Sequence, residues 1–138
     1  MNEQQILDAL AGLSLFSDLN RTQLESVAHT LSEESFPAGQ RILRQGFSGA
    51  GFFIILDGEV TVRVDDADVA RLAKGDFFGE ISLLLGDAPI ADVVTNGPVQ
   101  ALQLAGPELR EFLLAYPPVM YRMLQAISRR LDRANRRS

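Results

Sequence analysis

The groups best suited to chemistry lie in the stretch from Gly75 to Thr95. A Gly-Asp turn and two phenylalanines lead to Gly79, where a short apolar helix is predicted to begin. The first N–H groups of a helix have no partner inside it, and the helix dipole favours a negative group in front of them. The stretch therefore predicts a site for a small anionic ligand, followed by a break and then a strand.

The cation that should pair with such an anion is missing from this stretch. No arginine or lysine occurs between Gly75 and Thr95, and Lys74 comes before the turn. Arg63 and Arg71 could reach the site only from neighbouring strands. The stretch thus has the backbone N–H groups of an anion site and lacks the cationic side chain that would pair with the anion.

Other catalytic or metal sites have little support in the sequence. It contains no cysteine, which excludes disulfides, thiolate metal ligands and cysteine nucleophiles. The single histidine, His29, lies beside the apolar stripe of a predicted helix, which favours a structural role over a ligand or a catalytic base. The acidic group Asp65, Asp66 and Asp68 lacks the glycine and the glutamate of a calcium loop and predicts a solvated turn. We therefore predict that the chain is not an enzyme and holds no metal.

The elements that must position the site begin with helices in residues 1–32. Apolar residues recur at helical spacing in residues 3–11. Asn20, with Gln23 three residues later, has the pattern of a capping box at the start of a second helix.

Residues 33–105 predict a β-roll. Short runs of β-branched and aromatic residues recur about every eight to twelve residues, separated by turns that contain glycine. The run from Phe52 to Leu56 is followed by Asp57-Gly58, a dipeptide typical of hairpin turns. Regular short strands with such turns are typical of a small barrel or roll.

Residues 106–135 predict a pair of helices. Pro107 suits the first turn of one helix, Pro117-Pro118 is predicted to end it, and the last helix is predicted from about Val119 to Asn135. The apolar residues of the last helix are spaced four, three, four and three apart: Met120, Leu124, Ile127, Leu131 and Ala134. This heptad seam fits pairing with a second copy of the chain, and packing on the chain's own barrel is the alternative.

Composition and charge narrow the class of protein. The 138 residues contain no repeat and no low-complexity linker, so residues 1–138 are predicted to form a single domain. The net charge is −5, but residues 119–138 carry six arginines and one acid, so the preceding chain carries −10. The body should repel nucleic acid, and the basic tail alone could give only salt-sensitive phosphate contact. The patterns of a signal peptide and of a membrane span are missing, which indicates a cytoplasmic protein.

A ladder of glycines and apolar residues runs through the chain: Pro37, Gly39, Ile42, Gly46, Phe53, Ile55, Gly58, Val60, Val62, Leu72, Gly75, Asp76, Phe78, Gly79, Glu80, Ile81, Leu83 and Leu84. This pattern resembles the cyclic-nucleotide-binding domain family, which includes catabolite-activator-type regulators and regulatory subunits of protein kinase A. The resemblance covers about residues 8–135. It implies a mainly β fold with flanking helices (α+β): an eight-stranded, jelly-roll-like β-roll with N-terminal helices and a C-terminal helix pair.

The resemblance also implies a ligand site on the helix that follows Gly79, which would be the family's phosphate-binding cassette. The cassette glutamate, here Glu80, would accept a hydrogen bond from the ribose 2′-hydroxyl. Backbone N–H groups of Ile81 and Ser82 would meet the cyclic phosphate, next to Phe78. The implied ligand is cyclic AMP or cyclic GMP, and no other cofactor is predicted.

Three residues depart from the cassette pattern. Ile90 stands where the family has an arginine that pairs with the phosphate, Ala91 has no side-chain donor, and Asp92 replaces a small apolar residue on the same strand face as Ile90. Loss of a charge-assisted, bidentate contact costs about 1.5–3 kcal/mol, or about ten- to a hundredfold in affinity. The sequence therefore predicts impaired binding of cyclic AMP and cyclic GMP.

We accordingly predict a non-catalytic regulatory sensor that takes a small molecule in its β-roll. By the resemblance, the last helix, with Met120, Leu124, Ile127 and Leu131, would be a lid or a homodimer element. Two alternatives stay open: a ligand-free interaction or dimerisation module, and the effector domain of a catabolite-activator-type transcription factor that lacks its helix-turn-helix. The chain alone is predicted to bind neither a membrane nor specific DNA.

Overall fold

The structure is a computed structural model that describes residues 1–47 and 51–137. The other four positions of the predicted domain lie outside this description. Contacts divide the chain into two compact units, one formed by residues 29–110 and the other by residues 1–28 together with 111–138. That residues 1–138 form a single domain stays a prediction.

The described part of residues 29–110 forms the roll from eight strands. They are β1 (Ser32–Phe36), β2 (Arg41–Leu43), β3 (Gly51–Asp57), β4 (Val60–Val64), β5 (Ala67–Leu72), β6 (Phe77–Phe78), β7 (Asp92–Thr95) and β8 (Val99–Ala105). The strands pair antiparallel in two four-stranded sheets, in the orders β1-β8-β3-β6 and β2-β7-β4-β5. The mainly β fold with an eight-stranded roll and flanking helices is thereby confirmed.

The helices of the described chain are α1 (Glu3–Ala11), α2 (Arg21–Thr30), α3 (Glu80–Leu85), α4 (Leu109–Ala115) and α5 (Pro117–Arg137), with 3₁₀ turns at Ser14–Phe16 and Gly106–Glu108. The capping box predicted at Asn20 is present, because Asn20 and Gln23 exchange two side-chain to backbone hydrogen bonds of 2.9 Å. Asn2 and Gln5 form a second box at the start of α1. Both helices of the N-terminal segment thus begin where local hydrogen bonding fixes them.

The start of α5 corrects one expectation. Pro117 and Pro118 were predicted to separate two helices, but they form the first turn of α5. The missing N–H of proline does no harm there, because the first N–H groups of a helix have no partner in any case. Within its own unit, α5 packs on the 3₁₀ turn Ser14–Phe16 and buries Val119 and Met123.

Core packing holds the chain that leads into α3. β3 is buried from its first residue to Leu56. A cluster of buried residues joins it to β2, β4, β6, β7 and β8: Leu43, Phe53, Ile55, Val60, Phe78, Val93 and Val99. The rings of Phe53 and Phe78 stack with their centroids 5.0 Å apart, which fixes β6 beside β3. The residues just before the predicted site are therefore positioned by the core.

Candidate ligand-binding site

Gly79 makes the turn from β6 into α3. Its φ is +96°, in the left-handed region that residues with a side chain rarely adopt. A Cβ at this position would lie 2.2 Å from the carbonyl oxygen of Gly51 in β3. Only glycine fits this close approach, so backbone packing sets where α3 begins and where its first N–H groups lie.

The first turn of α3 brings several predicted site residues together. Glu80 begins the helix and is buried, with only 3% of the residue exposed. Ser82 is also buried, and its hydroxyl donates to the carbonyl oxygen of Gly79 at 3.3 Å. Ile81 is exposed between them, whereas Phe78 belongs to the core. A buried carboxylate at a helix start is favoured by the dipole and is well suited to accept hydrogen bonds from hydroxyl groups.

Ile90 lies in the segment between α3 and β7, residues 86–91. It is 52% exposed, whereas its neighbours Pro89 and Ala91 are buried. An isoleucine side chain has no hydrogen-bonding group and no charge. The position at which the family pattern has its arginine therefore presents an accessible apolar surface.

Asp92 begins β7, and its carboxylate is bonded within the protein. Its Oδ1 accepts a hydrogen bond from the backbone N–H of Gln45 at 2.7 Å, and its Oδ2 lies 3.8 Å from Nε of Arg41. The next residue, Val93, belongs to the buried core, so Asp92 lies on the other face of the strand. Sequence reasoning missed Gln45 and Arg41 as partners of Asp92, because no local pattern connects residues about fifty positions apart.

The two arginines predicted to be within reach of the site are paired with acids. Nε of Arg63 lies 2.6 Å from Oδ1 of Asp68, and Nη1 of Arg71 lies 3.9 Å from Oε1 of Glu59. These residues lie on or beside the hairpin of β4 and β5. Both guanidinium groups are thus directed to carboxylates of the same hairpin.

The described residues offer neither a metal cluster nor a membrane-spanning helix. Among residues 1–47 and 51–137, no group of three or more histidine, aspartate or glutamate side chains could hold a metal ion. Within the same ranges, no helix combines the length and the apolar character that crossing a bilayer requires. The turn predicted at the acidic group is present, and its residues Asp65 and Asp66 have φ of +51° and +65°.

The seam residues of α5 are largely accessible. Met120 is 38% exposed, Leu124 60% and Leu131 61%, and Ile127 is half-buried. Their predicted role as a lid or as a homodimer element stays a prediction. Near the start of the helix, Arg122 forms a bidentate ion pair with Asp18, with N···O distances of 2.7 and 3.0 Å.

Comparison with known proteins adds a family and several relatives. The pattern of the cyclic nucleotide-binding domain matches residues 33–116. A cGMP-dependent protein kinase of Caenorhabditis briggsae is 34% identical over 107 residues, which cover 72% of this chain and 14% of the kinase. The chain thus spans about a seventh of the length of that relative.

Three similar solved structures are regulatory subunits of cAMP-independent protein kinases A. The Trypanosoma brucei subunit is 29% identical, with a TM-score of 0.79 over 90% of this chain and 45% of the subunit. A triple mutant of it, in which one substitution introduces an arginine, is bound to cAMP in the A site and is 30% identical, with a TM-score of 0.77 over 90% of this chain and 46% of the mutant chain. The Trypanosoma cruzi subunit is bound to guanosine and is 29% identical, with a TM-score of 0.74 over 85% of this chain and 42% of the subunit.

The family pattern matches more than half of the chain, and it falls on the roll that carries α3. The glycine and the glutamate that begin α3 have fixed surroundings, since the first is held by a backbone contact and the second is buried. The resemblance seen in the sequence is therefore confirmed: the chain belongs to the cyclic nucleotide-binding domain family.

Proposed function

We propose that this chain is a non-catalytic regulatory module whose ligand is an uncharged nucleoside instead of a cyclic nucleotide. The observation that carries the proposal is Ile90, an accessible aliphatic side chain at the position of the phosphate-pairing arginine. Gly79 and Glu80 are retained at the start of α3, so the groups suited to a sugar hydroxyl are kept. A ligand with ribose hydroxyls and without a phosphate matches both features of the site, the carboxylate of Glu80 and the apolar side chain of Ile90.

A cyclic phosphate beside Ile90 would be poorly stabilised. An anion that moves from water to an apolar surface loses hydration, and no counter-charge at position 90 compensates for that loss. The missing charge-assisted contact alone is worth about 1.5–3 kcal/mol. A nucleoside avoids this cost because its 5′-hydroxyl is neutral.

The relatives support the same division between nucleoside and cyclic nucleotide. The Trypanosoma brucei subunit is described as belonging to a cAMP-independent kinase, and the triple mutant with an added arginine is bound to cAMP. The Trypanosoma cruzi subunit is bound to guanosine. These relatives support a nucleoside over a cyclic nucleotide as the ligand of this chain.

Isothermal titration calorimetry with guanosine, adenosine, cyclic AMP and cyclic GMP tests the proposal. We expect binding heat with at least one nucleoside and none with either cyclic nucleotide at millimolar concentration. Ile90→Arg should raise the affinity for cyclic AMP about ten- to a hundredfold. Asp92 is left in place in this variant, because its carboxylate is already bonded to Gln45.

Leu85→Arg is the matched control, since it adds the same charge to a residue of α3 that is 68% exposed and leaves position 90 unchanged. An equal gain in cyclic AMP affinity from both variants would reject a specific role for position 90. The proposed function itself would be overturned by tight cyclic AMP binding to the unsubstituted chain, or by the absence of heat with both nucleosides.

A second role is favoured by the accessible seam on α5. Met120, Leu124 and Leu131 lie at heptad spacing and leave a third to two thirds of their surfaces exposed. Apolar residues repeated in this way on an exposed helix are suited to a partner helix. We infer that α5 pairs with α5 of a second copy, and sedimentation over a range of concentrations tests this role.

A further inference from the structure

A small hydrogen-bonded cluster ties the turn at residues 44–47 to the segment that carries Ile90. Oδ1 of Asp92 accepts the N–H of Gln45 at 2.7 Å, and the N–H of Gly46 donates to the carbonyl oxygen of Pro89 at 2.9 Å. The two bonds are made to residues 89 and 92, which flank Ile90 and Ala91. The turn is therefore hydrogen-bonded to the chain on both sides of Ile90.

The side chain of Gln45 extends the cluster to a third segment. Its Nε2 donates to Oδ1 of Asp65 at 2.8 Å, and its Oε1 accepts the N–H of Asp65 at 2.9 Å. Asp65 lies in the left-handed turn between β4 and β5, with φ of +51°. Gln45 therefore connects the 44–47 turn by hydrogen bonds to the β4–β5 turn and to the start of β7.

The bond from the backbone N–H of Gln45 to Asp92 is one of two bonds in this cluster that a carboxylate accepts, and it is the shorter one. Hydrogen bonds to an ionised carboxylate are shorter and about twice as strong as bonds between neutral groups, and 2.7 Å is in the range of such bonds. The side chain of Asp92 is only 21% exposed, so the bond is partly shielded from water. Asp92 lies on the strand face opposite to Val93, so its carboxylate acts on the turn and not on the core.

We propose that Asp92 is a positioning residue that holds the 44–47 turn against residues 89–92 and fixes Ile90 before any ligand arrives. This inference rests on the proposed function, because an uncharged nucleoside has no phosphate that could draw the segment into place by charge. The protein itself then has to hold residues 89–92 in one conformation. A site that is already ordered binds its ligand without the entropic cost of ordering a loop.

Amide hydrogen exchange at Gln45 and Gly46, measured by NMR without ligand, tests the positioning role. Asp92→Ala should speed exchange at Gln45 by about tenfold or more, because the acceptor is lost. Asp92→Asn should restore most of the protection, because its amide oxygen still accepts. Glu59→Ala is the matched control, since Glu59 is also paired with an arginine of this sheet, beside the end of β4 remote from Asp92, and should change exchange at Gln45 less than about twofold.

Titration of the same four chains with guanosine tests the consequence for the ligand. Asp92→Ala should weaken guanosine binding about tenfold, whereas Asp92→Asn and Glu59→Ala should stay within about threefold of the unsubstituted chain. Unchanged exchange at Gln45 in Asp92→Ala, or faster exchange with unchanged guanosine affinity, would overturn the positioning role. Faster exchange in a protein that binds no nucleoside would instead reject the proposed function and leave the holding of the turn by Asp92 supported.

Discussion

Gly79 is subject to two independent constraints, one on its backbone angle and one on the space around its Cα. A φ of +96° is strained for any residue with a side chain, and the carbonyl oxygen of Gly51 fills the space that a Cβ would need. Gly86, at the other end of α3, shares the first constraint with φ of +74°, but among the described residues nothing lies within 4 Å of its Cβ position. Substitutions at the two glycines therefore separate the free-energy cost of the backbone angle from that of the contact with Gly51.

Gly86→Ala should destabilise the protein by about 1–2 kcal/mol, the cost of a left-handed alanine. Gly79→Ala should cost about 3 kcal/mol or more, because the strand that carries Gly51 must also move. Urea unfolding of both variants measures the difference. Equal losses would mean that α3 can shift away from β3 without cost, and that the contact with Gly51 does not position the site.

At the scale of elements, much of this fold could be predicted because its signals are local. Asn20 and Gln23 lie three residues apart, so their capping box is visible in the sequence, and it is present in the structure. The strands on either side of Asp57-Gly58 follow from turn chemistry and alternation, but the hairpin predicted there is wrong, because β3 and β4 belong to different sheets. The start of α3 could also be predicted, since the glycine and the glutamate that begin it are adjacent in the chain.

What could not be predicted depends on contacts between distant residues. Asp92 was expected to lie near the ligand, and nothing in its own segment indicated that its carboxylate would bond to Gln45, 47 positions away. The start of α5 was missed for a different reason, because a proline pair ends a helix or begins one according to the turn in which it falls. Side-chain direction and helix phase are set by tertiary packing, which a single sequence does not display.

The ion pair that ties α5 to the segment before α2 predicts a pH-dependent contribution to stability. The Arg122 guanidinium holds the pKa of the Asp18 carboxyl below its usual value, and the same contact raises the pKa of Arg122. A carboxyl whose pKa is lowered by folding stabilises the fold above its unfolded pKa, about 4, and the stabilisation is lost as pH falls through the folded pKa. Arg122 stays charged throughout this range.

Asp18→Asn should therefore lower the urea midpoint at neutral pH, and its effect should fade as pH drops below about 4. Unfolding curves of the variant and of the unsubstituted chain, recorded from neutral pH down to about pH 3, give the difference directly. Asp8→Asn serves as the control, because Asp8 is an exposed carboxylate bonded to the amide of Gln4. If the difference in urea midpoint between Asp18→Asn and the unsubstituted chain stayed constant to the lowest pH, a charge effect of Asp18 would be contradicted.

At the scale of the whole molecule, three of the six arginines of α5 lie on one side of the helix. Arg122, Arg129 and Arg136 are seven residues apart and lie on the helix side opposite to the seam. Beside the seam the helix has uncharged residues at the same spacing: Tyr121, Ser128 and Asn135. On the other flank of the seam lie Arg130 and Arg137. A second copy of α5 that ran parallel would place these two arginines opposite the uncharged residues, and not opposite its own arginines.

Leu124→Glu tests this arrangement. A carboxylate at the centre of the seam would be buried against its own copy, so we expect the variant to sediment as a monomer at concentrations where the unsubstituted chain is a dimer. Arg129→Glu is the control, because it changes charge on the opposite side of the helix and should leave the dimer intact. A seam of few heptads predicts a weak interface, so the mass of the unsubstituted chain should rise with concentration. A monomer at every concentration, or a dimer that Leu124→Glu leaves unchanged, would show that the apolar stripe of α5 is not where two copies meet.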